Sequence, residues 1–426
     1  MFKEGILDAI LRGLKKIIPT SVFVFFQPYY HAGLSYGGAL LYGFPARSMK
    51  VIGVTGTKGK STTVYLAGKL LEATGHSVAT IGSLGFRIKG KEWPNTLKMT
   101  MPGRMKLQKF LAQAKKAGCT HVIMEVTSEG IKQKRHLGVQ FDCAVFTNLH
   151  PEHIESHGSF EAYQVAKQEL FRKTTGIHAI NIDDPHSKAF GDFPAKRKIF
   201  FGIDGGDLRA ANVQSDGQMS TFEIYGTKFT LHLGGRFNIY NAMAALAVSV
   251  MYGVDLPSAV PVLAAIKEIP GRMQYIQREP FAVVVDYAHT PQSLEAVYKT
   301  LRSQKLICVL GAAGGGRDKW KRSEFGKIAA EYCDEIILTD EDPYDEIPEK
   351  IIEDIFSGIS RVESQTSKVH KVIDRREAIK TALKDANEGD TVVITGKGSE
   401  TSMALADGKK IPWSDAQMVR ELLGKR

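Results

Sequence analysis

The chain has 426 residues, too many for one ordinary hydrophobic core, and its 43% apolar and 24% charged residues are those of a soluble globular protein of two or three domains. A formal charge of +10 suits an acidic partner unless it is simply a solvated basic surface; with no basic block or RNA-binding signature beside it, phosphates are favoured and no nucleic acid is expected. Cys119, Cys143, Cys308 and Cys333 lie far apart and mostly in apolar runs, which favours buried thiols in a reducing cytoplasm over a disulfide framework or metal cluster.

Residues 1–48 read as a short apolar segment. Arg12, Lys15 and Lys16 precede a stretch over 17–45 without Asp, Glu, Lys or Arg, rich in Phe, Tyr and Gly. No small-residue cleavage site follows a compact apolar core, so it is a poor signal peptide, and Pro19, Pro28 and repeated Gly interrupt it as a membrane span. A segment docked on the next domain is expected, with weak membrane-surface association as the alternative.

From Met49 short β-branched runs alternate with helical stretches, the pattern of a mostly parallel sheet. A strand over 50–54 enters a glycine loop; a helix over 61–74, a strand over 77–81 and a helix over 105–117 follow, then buried strands over 121–126 and 143–147. Alternating strands with Gly turns over 197–235 read as a peripheral β-layer on this domain, and a helix starts at Asn238. A second α/β unit opens near Pro270, with strands over 282–286, 305–310, 335–339 and 391–395 separated by helices near 291–303, 321–333, 347–358 and 374–387. The layout is Rossmann-like, though no dinucleotide fingerprint opens it. The fold expected is α/β: a P-loop-containing central domain with a parallel sheet over 49–270 and a Rossmann-like C-terminal domain over 271–426.

The strongest local signal is Gly53-Val54-Thr55-Gly56-Thr57-Lys58-Gly59-Lys60-Ser61-Thr62, placed after a strand and opening a helix. Backbone N–H groups of such a loop cradle phosphates, Lys60 reaches the terminal ones and the Ser61 hydroxyl meets Mg²⁺. Kinase, GTPase, helicase and ligase all remain compatible with it. Glu125 ends an apolar strand where open α/β sheets place ligands, and a buried acid there needs a cation such as Mg²⁺ unless it sits in solvent. The loop Asn148-Leu149-His150-Pro151-Glu152-His153-Ile154-Glu155-Ser156-His157-Gly158 holds three histidines at no zinc spacing; His153 is the one that could help hold a divalent cation. Lys167 lies four residues after Tyr163 and four before Phe171, on the apolar stripe of a helix capped by Ser159. A lysine there must be paired, deprotonated or modified, unless its stem snorkels to water.

These residues in this order, with Met124-Glu125-Val126-Thr127-Ser128, Ala166-Lys167, Asn181-Ile182-Asp183-Asp184, Gly235-Arg236-Phe237-Asn238, Gly271-Arg272-Met273, Asp286-Tyr287-Ala288-His289, Gly316-Arg317-Asp318-Lys319 and Thr395-Gly396-Lys397-Gly398, resemble the Mur ligase family over roughly residues 50–426. The likeness is to the branch that adds the third residue of the UDP-N-acetylmuramoyl peptide. It implies an ATP-dependent acid–amino-acid ligase of peptidoglycan synthesis that works through an acyl phosphate on small-molecule substrates, without nucleic acid and as a monomer. By that resemblance Gly56, Thr57, Lys58, Gly59, Lys60, Ser61 and Thr62 hold ATP; Ser61, Glu125, His153 and a carbamylated Lys167 serve Mg²⁺; and Asn241, Arg272, Asp286 and His289 contact the nucleotide. Thr100, Thr127, Gln133 and Arg135 match positions that grip the muramoyl peptide. Arg317, Glu341, Asp342, Tyr344, Gly396 and Glu400 match the amino-acid pocket, and a pivot is expected near Pro270 and Gly271.

Departures from the pattern shape the expectation. Family members carry a whole N-terminal domain for the uridine nucleotide, whereas 48 residues precede the central domain here. Lys58, Met101 and Ser399 replace a usual Asn, Thr and His. Diaminopimelate-adding members have Asp-Asn-Pro-Arg where this chain has Glu341-Asp342-Pro343-Tyr344; Tyr344 cannot make the bidentate ion pair of that arginine, and the acidic segment favours a distal ammonium, hence L-lysine or another diamino acid. The competing functions are a folylpolyglutamate or poly-γ-glutamate type ligase and a non-catalytic, membrane-associated nucleotide-binding protein.

Overall fold

The computed structural model describes residues 20–424 apart from 98, 303, 317 and 363–366, with side chains from residue 26 onward. The chain forms two compact units. One contains the described residues up to Leu149 with Glu161–Arg209 and Asn241–Ala259; the other contains His150–Phe160, Ala210–Tyr240 and the chain from Val260.

The first unit is organised by β1 (Lys50–Thr55), β2 (Val78–Gly82), β3 (Gly85–Ile88), β4 (Lys91–Trp93), β5 (His121–Glu125), β6 (Cys143–Phe146), β7 (Ile177–Asn181), β8 (Arg197–Gly202) and β9 (Leu208–Arg209). They make one sheet in the order β4-β3-β2-β5-β1-β6-β7-β8-β9. Pairing is parallel except at the β2-β3-β4 edge. Strands β5 and β6 are buried at every residue and β1 at all but Lys50, which is why they read as continuous apolar runs. β1 has β5 on one side and β6 on the other, so the loop that follows it stands where strand order reverses, the usual ligand position in such sheets. Gly53 in β1 serves that arrangement: a Cβ there would lie 2.8 Å from Leu170 Cδ1 and 3.0 Å from the Phe141 ring. Glycine thus lets the helix Phe160–Lys173 close onto the strand that feeds the loop.

Proline and glycine do not interrupt the N-terminal segment as expected, for Thr20–Leu41 is one helix with Pro28 inside it. Its buried residues His31, Ser35, Gly38 and Ala39 repeat at helical spacing. They pack on the helix Arg104–Lys116 and the loop after residue 132: a Cβ at Gly38 would lie 2.8 Å from Met105 Sδ, and Ser35 Oγ donates to Lys134 O at 2.6 Å. Small side chains here offset the cost of an irregular helix by close approach. Among the described residues no helix is long and apolar enough to cross a membrane.

The second unit holds β13 (Gln274–Gln277), β14 (Ala282–Val285), β15 (Leu306–Leu310), β16 (Glu335–Leu338), β17 (Lys368–Lys371) and β18 (Thr391–Ile394) in the order β13-β14-β18-β15-β16-β17. β13 is antiparallel and the rest parallel. Its two faces carry separate apolar clusters, one around Leu294, Tyr298 and Ile355 and the other around Ile307, Ile379 and Val419. Edge strands β13 and β17 were not foreseen; both are four residues long, and β17 reads Lys-Val-His-Lys without buried alternation. The β-layer expected over 197–235 divides. β8 and β9 extend the nine-stranded sheet, whereas β10 (Ala211–Ser215), β11 (Ser220–Ile224) and β12 (Thr227–Leu231) form a small sheet in the second unit, tied to it by Tyr275 Oη donating to Gly217 O at 2.8 Å.

One cysteine expectation is corrected. Cys308 and Cys333 form a disulfide, with Cα atoms 6.1 Å apart, because β15 and the end of the helix Trp320–Tyr332 meet over one apolar cluster. Cys119 and Cys143 are buried free thiols, as expected.

Candidate nucleotide and ligation site

In the first unit the loop after β1 is held from below by Thr147 and Asn148. Thr57 N donates to Asn148 O at 2.9 Å, Lys58 N to Asn148 Oδ1 at 2.8 Å, and the Thr147 hydroxyl and Asn148 amide donate to Lys58 O at 2.7 and 3.1 Å. Gly56 and Gly59 have φ of 147° and 83°, and a Cβ would collide with Thr147 Oγ1 at the first and with Asn241 Oδ1 at the second. The cradle is therefore closed to any side chain but hydrogen. Gly59 caps the helix Lys60–Ala73, whose first turn has no acidic residue, so amide dipoles and the helix N-terminus suit a phosphate. Lys60 Nζ donates to Gly56 O and Thr57 O, each at 2.8 Å. Ser61 and Thr62, 9% and 3% exposed, follow on that first turn.

Glu125 closes β5 and is 2% exposed. Its Oε1 accepts the Ser83 amide at 2.7 Å and the Ser83 hydroxyl at 3.2 Å, and Ser83 Oγ lies 2.6 Å from Ser61 Oγ. A Cβ at Gly82 would collide with the Glu125 carboxylate, so glycine makes room for it. Two hydroxyls and a carboxylate in line are hard oxygen donors of the kind Mg²⁺ takes, and the glycine cradle beside them fits a triphosphate. Lys167 is 2% exposed, as its place on the apolar stripe predicted. Its Nζ donates to Gly56 O at 2.7 Å and stands 4.5 Å from the centre of the Tyr163 ring, whose hydroxyl meets Thr57 Oγ1 at 3.1 Å. Both lysines therefore share the carbonyl of Gly56.

Among the positions matched to the muramoyl peptide, Thr127 caps a short helix by accepting the Gly130 amide at 3.0 Å. Arg135 Nη2 donates to Gln133 Oε1 at 2.8 Å and Nη1 to Met101 O at 2.5 Å. Thr100 is half-buried beside Met101.

In the second unit His153 adopts a left-handed φ of 56°, and its amide donates to Asp318 Oδ2 at 2.8 Å. Burial pushes Asp318 up, but the Lys321 ammonium, 2.9 Å away, and the amides of Glu155 and His153 hold it below the usual carboxylate range. Buried Glu152 lies 3.5 Å from His289 Nε2, 3.7 Å from Lys321 Nζ and 4.0 Å from His153 Nε2. Asp286 accepts the amides of Met273 and Ala288, each at 2.7 Å, which fixes the left-handed turn at Met273. Arg272 stands 4.5 Å from the centre of the Tyr287 ring, and His289 Nδ1 is 2.7 Å from Tyr287 O. Of the expected nucleotide contacts, Asn241 thus touches the phosphate loop, while Arg272, Asp286 and His289 gather in the other unit.

The acidic segment at 340–346 is largely neutralised internally. Lys397, wholly buried, donates to Asp342 Oδ1 at 2.8 Å and Glu400 Oε2 at 2.7 Å, and Asp342 also accepts the Ala404 amide at 2.6 Å. Burial works against its charge, yet Glu400 and Asp342 hold the Lys397 ammonium above its ordinary value. Burial pushes Glu341 up to about 7 and Asp340 up to about 6, against the pull of Lys397 and Arg375. A Cβ at Gly396 would collide with the Glu341 carboxylate, and Tyr344, with φ of 52°, donates its amide to Ala404 O at 3.3 Å. Arg317 lies outside the described residues.

Sequence reasoning missed Ser83, Thr147, Glu152, Asp318 and Lys397 as parts of these constellations. Ser83 could have been found from Gly82-Ser83 at the end of a strand neighbouring β5; the others make contacts across distant sequence that no spacing records.

The description Mur ligase middle domain matches residues 54–249, and the Mur ligase, glutamate ligase domain matches residues 271–398. The UDP-N-acetylmuramoyl-L-alanyl-D-glutamate–2,6-diaminopimelate ligase of Aquifex aeolicus is 37% identical over 391 residues, 90% of this chain and 79% of that protein. The UDP-N-acetylmuramyl-tripeptide synthetase of a Roseiflexus species is 36% identical over 413 residues, 91% of this chain and 81% of that protein. A solved UDP-N-acetylmuramoyl-L-alanyl-D-glutamate–2,6-diaminopimelate ligase superposes with a TM-score of 0.62 at 31% identity, covering 92% of this chain and 83% of that one. Folylpolyglutamate synthase of Mycobacterium tuberculosis superposes with a TM-score of 0.74 at 18% identity over 93% of this chain and 96% of that one, a likeness of fold.

Proposed function

The chain belongs to the Mur ligase family of ATP-dependent amide ligases, and from that premise we propose that it joins a diamino acid to a UDP-N-acetylmuramoyl dipeptide in cytoplasmic peptidoglycan precursor synthesis. The observation that carries this reading is the Ser61–Ser83–Glu125 chain of oxygens beside a glycine cradle on which Lys60 and Lys167 converge. A phosphate loop alone serves many reactions; this second, anionic centre next to it suits the activation of a carboxylate.

The loop amides and Lys60 hold the terminal phosphates and stabilise the negative charge on the phosphoryl oxygens as a substrate carboxylate attacks the γ-phosphorus and ADP leaves. The acyl phosphate so formed is attacked at its carbonyl by the amino group, which loses a proton; phosphate departs and the amide remains. Mg²⁺, held by Ser61 and Glu125 with His153 and Lys167 as further candidates, supplies neutralising charge when bound. Carbamylation of Lys167 would convert a buried cation into an anionic ligand and remove the cost of its ammonium at a 2% exposed position. Asn241, Arg272, Asp286 and His289 serve the nucleotide, and Thr127, Gln133 and Arg135 serve the peptide.

Tyr344 in place of the arginine of diaminopimelate-adding members favours L-lysine as the incoming amino acid. Support from acidity rests on Glu341, since Asp342 is committed to Lys397. Incubation with ATP, Mg²⁺, UDP-N-acetylmuramoyl-L-alanyl-D-glutamate and a mixture of L-lysine and diaminopimelate, read by mass, tests the assignment. A lysine adduct is expected; turnover only with a folate or glutamate acceptor would replace it with the folylpolyglutamate reading, and a diaminopimelate adduct would correct the amino acid alone.

A further inference from the structure

The residues matched to the amino-acid pocket follow the carboxyl ends of β16 and β18, whereas a separate constellation stands at the amino end of β16, away from every residue matched to ligation. Glu335 opens β16 and Lys368 opens β17, and the parallel register sets them side by side. His370 is two residues further along β17, so its side chain leaves the same face of the sheet. On that face Ile337, two residues beyond Glu335, packs in the cluster of Ile379 and Ala382 from the helix Arg375–Asp385. Asp385 ends this helix, and one ligand atom each from Glu335, His370 and Asp385 lies within 4.8 Å of the other two.

Glu335 is 2% exposed, and its carboxylate draws cations from three strands. Its Oε2 accepts from Lys305 Nζ at 2.8 Å, while Oε1 is 2.9 Å from His370 Nε2 and 3.2 Å from Lys368 Nζ. Burial pushes the carboxyl up, yet Lys305, Lys368 and His370 hold it down at about 2. Lys368 is the replaceable member: its side chain is 63% exposed, and it reaches Asp385 Oδ2 only at 3.8 Å. An ion pair so exposed and so loose contributes little. Charge leaves room for a stronger cation, because Glu335, Asp385 and Asp390 all act on Lys305, so three carboxylates face two ammoniums. Exchange of the Lys368 ammonium for a divalent ion balances them. The negative end of the helix dipole adds to this pull, and the carbonyl of Asp385 already accepts from Lys305 Nζ at 3.4 Å.

We infer that Glu335 Oε1, His370 Nε2 and a carboxylate oxygen of Asp385 form a binding site for a divalent transition metal, Zn²⁺ in the first place, which displaces Lys368. One imidazole nitrogen and two carboxylates with a water as fourth ligand are a donor set that zinc takes, whereas Mg²⁺ prefers oxygen throughout and gives up its own water reluctantly. His370 coordinates as the neutral imidazole, with its remaining proton on Nδ1. The ion ties the four-residue edge strand β17 and the end of the helix Arg375–Asp385 to β16. This inference does not rest on the ligase reading.

Calorimetric titration of the full chain with Zn²⁺ tests the site, in excess Mg²⁺ and without nucleotide so that the Ser61–Glu125 centre stays out of the readout. Wild type should show a zinc site whose affinity falls at least about a hundred-fold in His370→Ala, the upper end of what loss of a residue that merely orients a ligand costs. Lys368→Ala should instead bind zinc about two- to five-fold more tightly, the worth of an exposed ion pair that no longer has to be broken. A variant that merely folds badly cannot imitate that gain. Zinc should also raise the melting temperature of wild type and Lys368→Ala while leaving that of His370→Ala in place. The site is overturned if wild type takes up no zinc in excess Mg²⁺, if His370→Ala binds it as tightly as wild type, or if Lys368→Ala shows no gain.

Discussion

At the phosphate loop, Lys60 and Lys167 both donate to the carbonyl of Gly56, whereas in the second unit Lys397 is clasped by the carboxylates of Asp342 and Glu400. A carbonyl is a dipole and leaves the charge of a bound ammonium in place for an incoming phosphate; two carboxylates cancel it. The carboxylates spend Lys397 on the fold, although it lies in a glycine loop that follows a parallel strand, as Lys60 follows the loop after β1. Burial alone does not tell them apart, since Lys167 and Lys397 are 2% and 0% exposed.

The comparison can be broken most sharply at Lys397. Removing one partner of a buried ion pair strands the others, so Lys397→Met should cost about 3–5 kcal/mol of stability, read by chemical denaturation. An unchanged unfolding midpoint would mean that Asp342 and Glu400 do not depend on it. At the phosphate loop the loss should fall on rate: Lys60→Ala is expected to lower kcat by about a hundred- to a thousand-fold while the unfolding midpoint stays near wild type. Reduced stability with normal turnover would reverse the assignment of the two regions. Gly82→Ala sharpens the same side, because its methyl group would displace the Glu125 carboxylate from Ser83. Turnover should drop about ten- to a hundred-fold and recover in part at raised Mg²⁺. A further effect concerns pH. Glu341 is raised to about 7 from its ordinary value, so the folded protein binds a proton that the unfolded chain has released. Stability should then fall as pH rises from about 4.5 to 7, by up to about 1.4 kcal/mol per pH unit, relative to Glu341→Gln measured alongside. Parallel profiles would show that the carboxyl is ionised throughout.

Much of this architecture was legible because the signals were local. The apolar runs of β1, β5 and β6 announced strands buried on both faces, and the spacing Tyr163, Lys167, Phe171 announced a lysine on the inner face of its helix. The acidic run at 340–346 misled for the same reason: its charges are adjacent in sequence, but the cation that answers Asp342 comes from residue 397, beyond two strands. The Cys308–Cys333 bond likewise joins a strand to a helix end, and no spacing rule of a globular chain anticipates it.

By itself the amino-acid order determined the α/β class, the glycine loop with Lys60 and Ser61, the placement of Glu125 at a strand end and the family, since each depends on a few consecutive residues and their periodicity. The tertiary structure alone decided that Ser83 joins Ser61 to Glu125, that Thr147 and Asn148 shape the loop and that Asp342 is neutralised. Those are contacts between side chains brought together by strand order and helix packing, and electrostatic partnership is set by distance in space, which sequence separation does not encode.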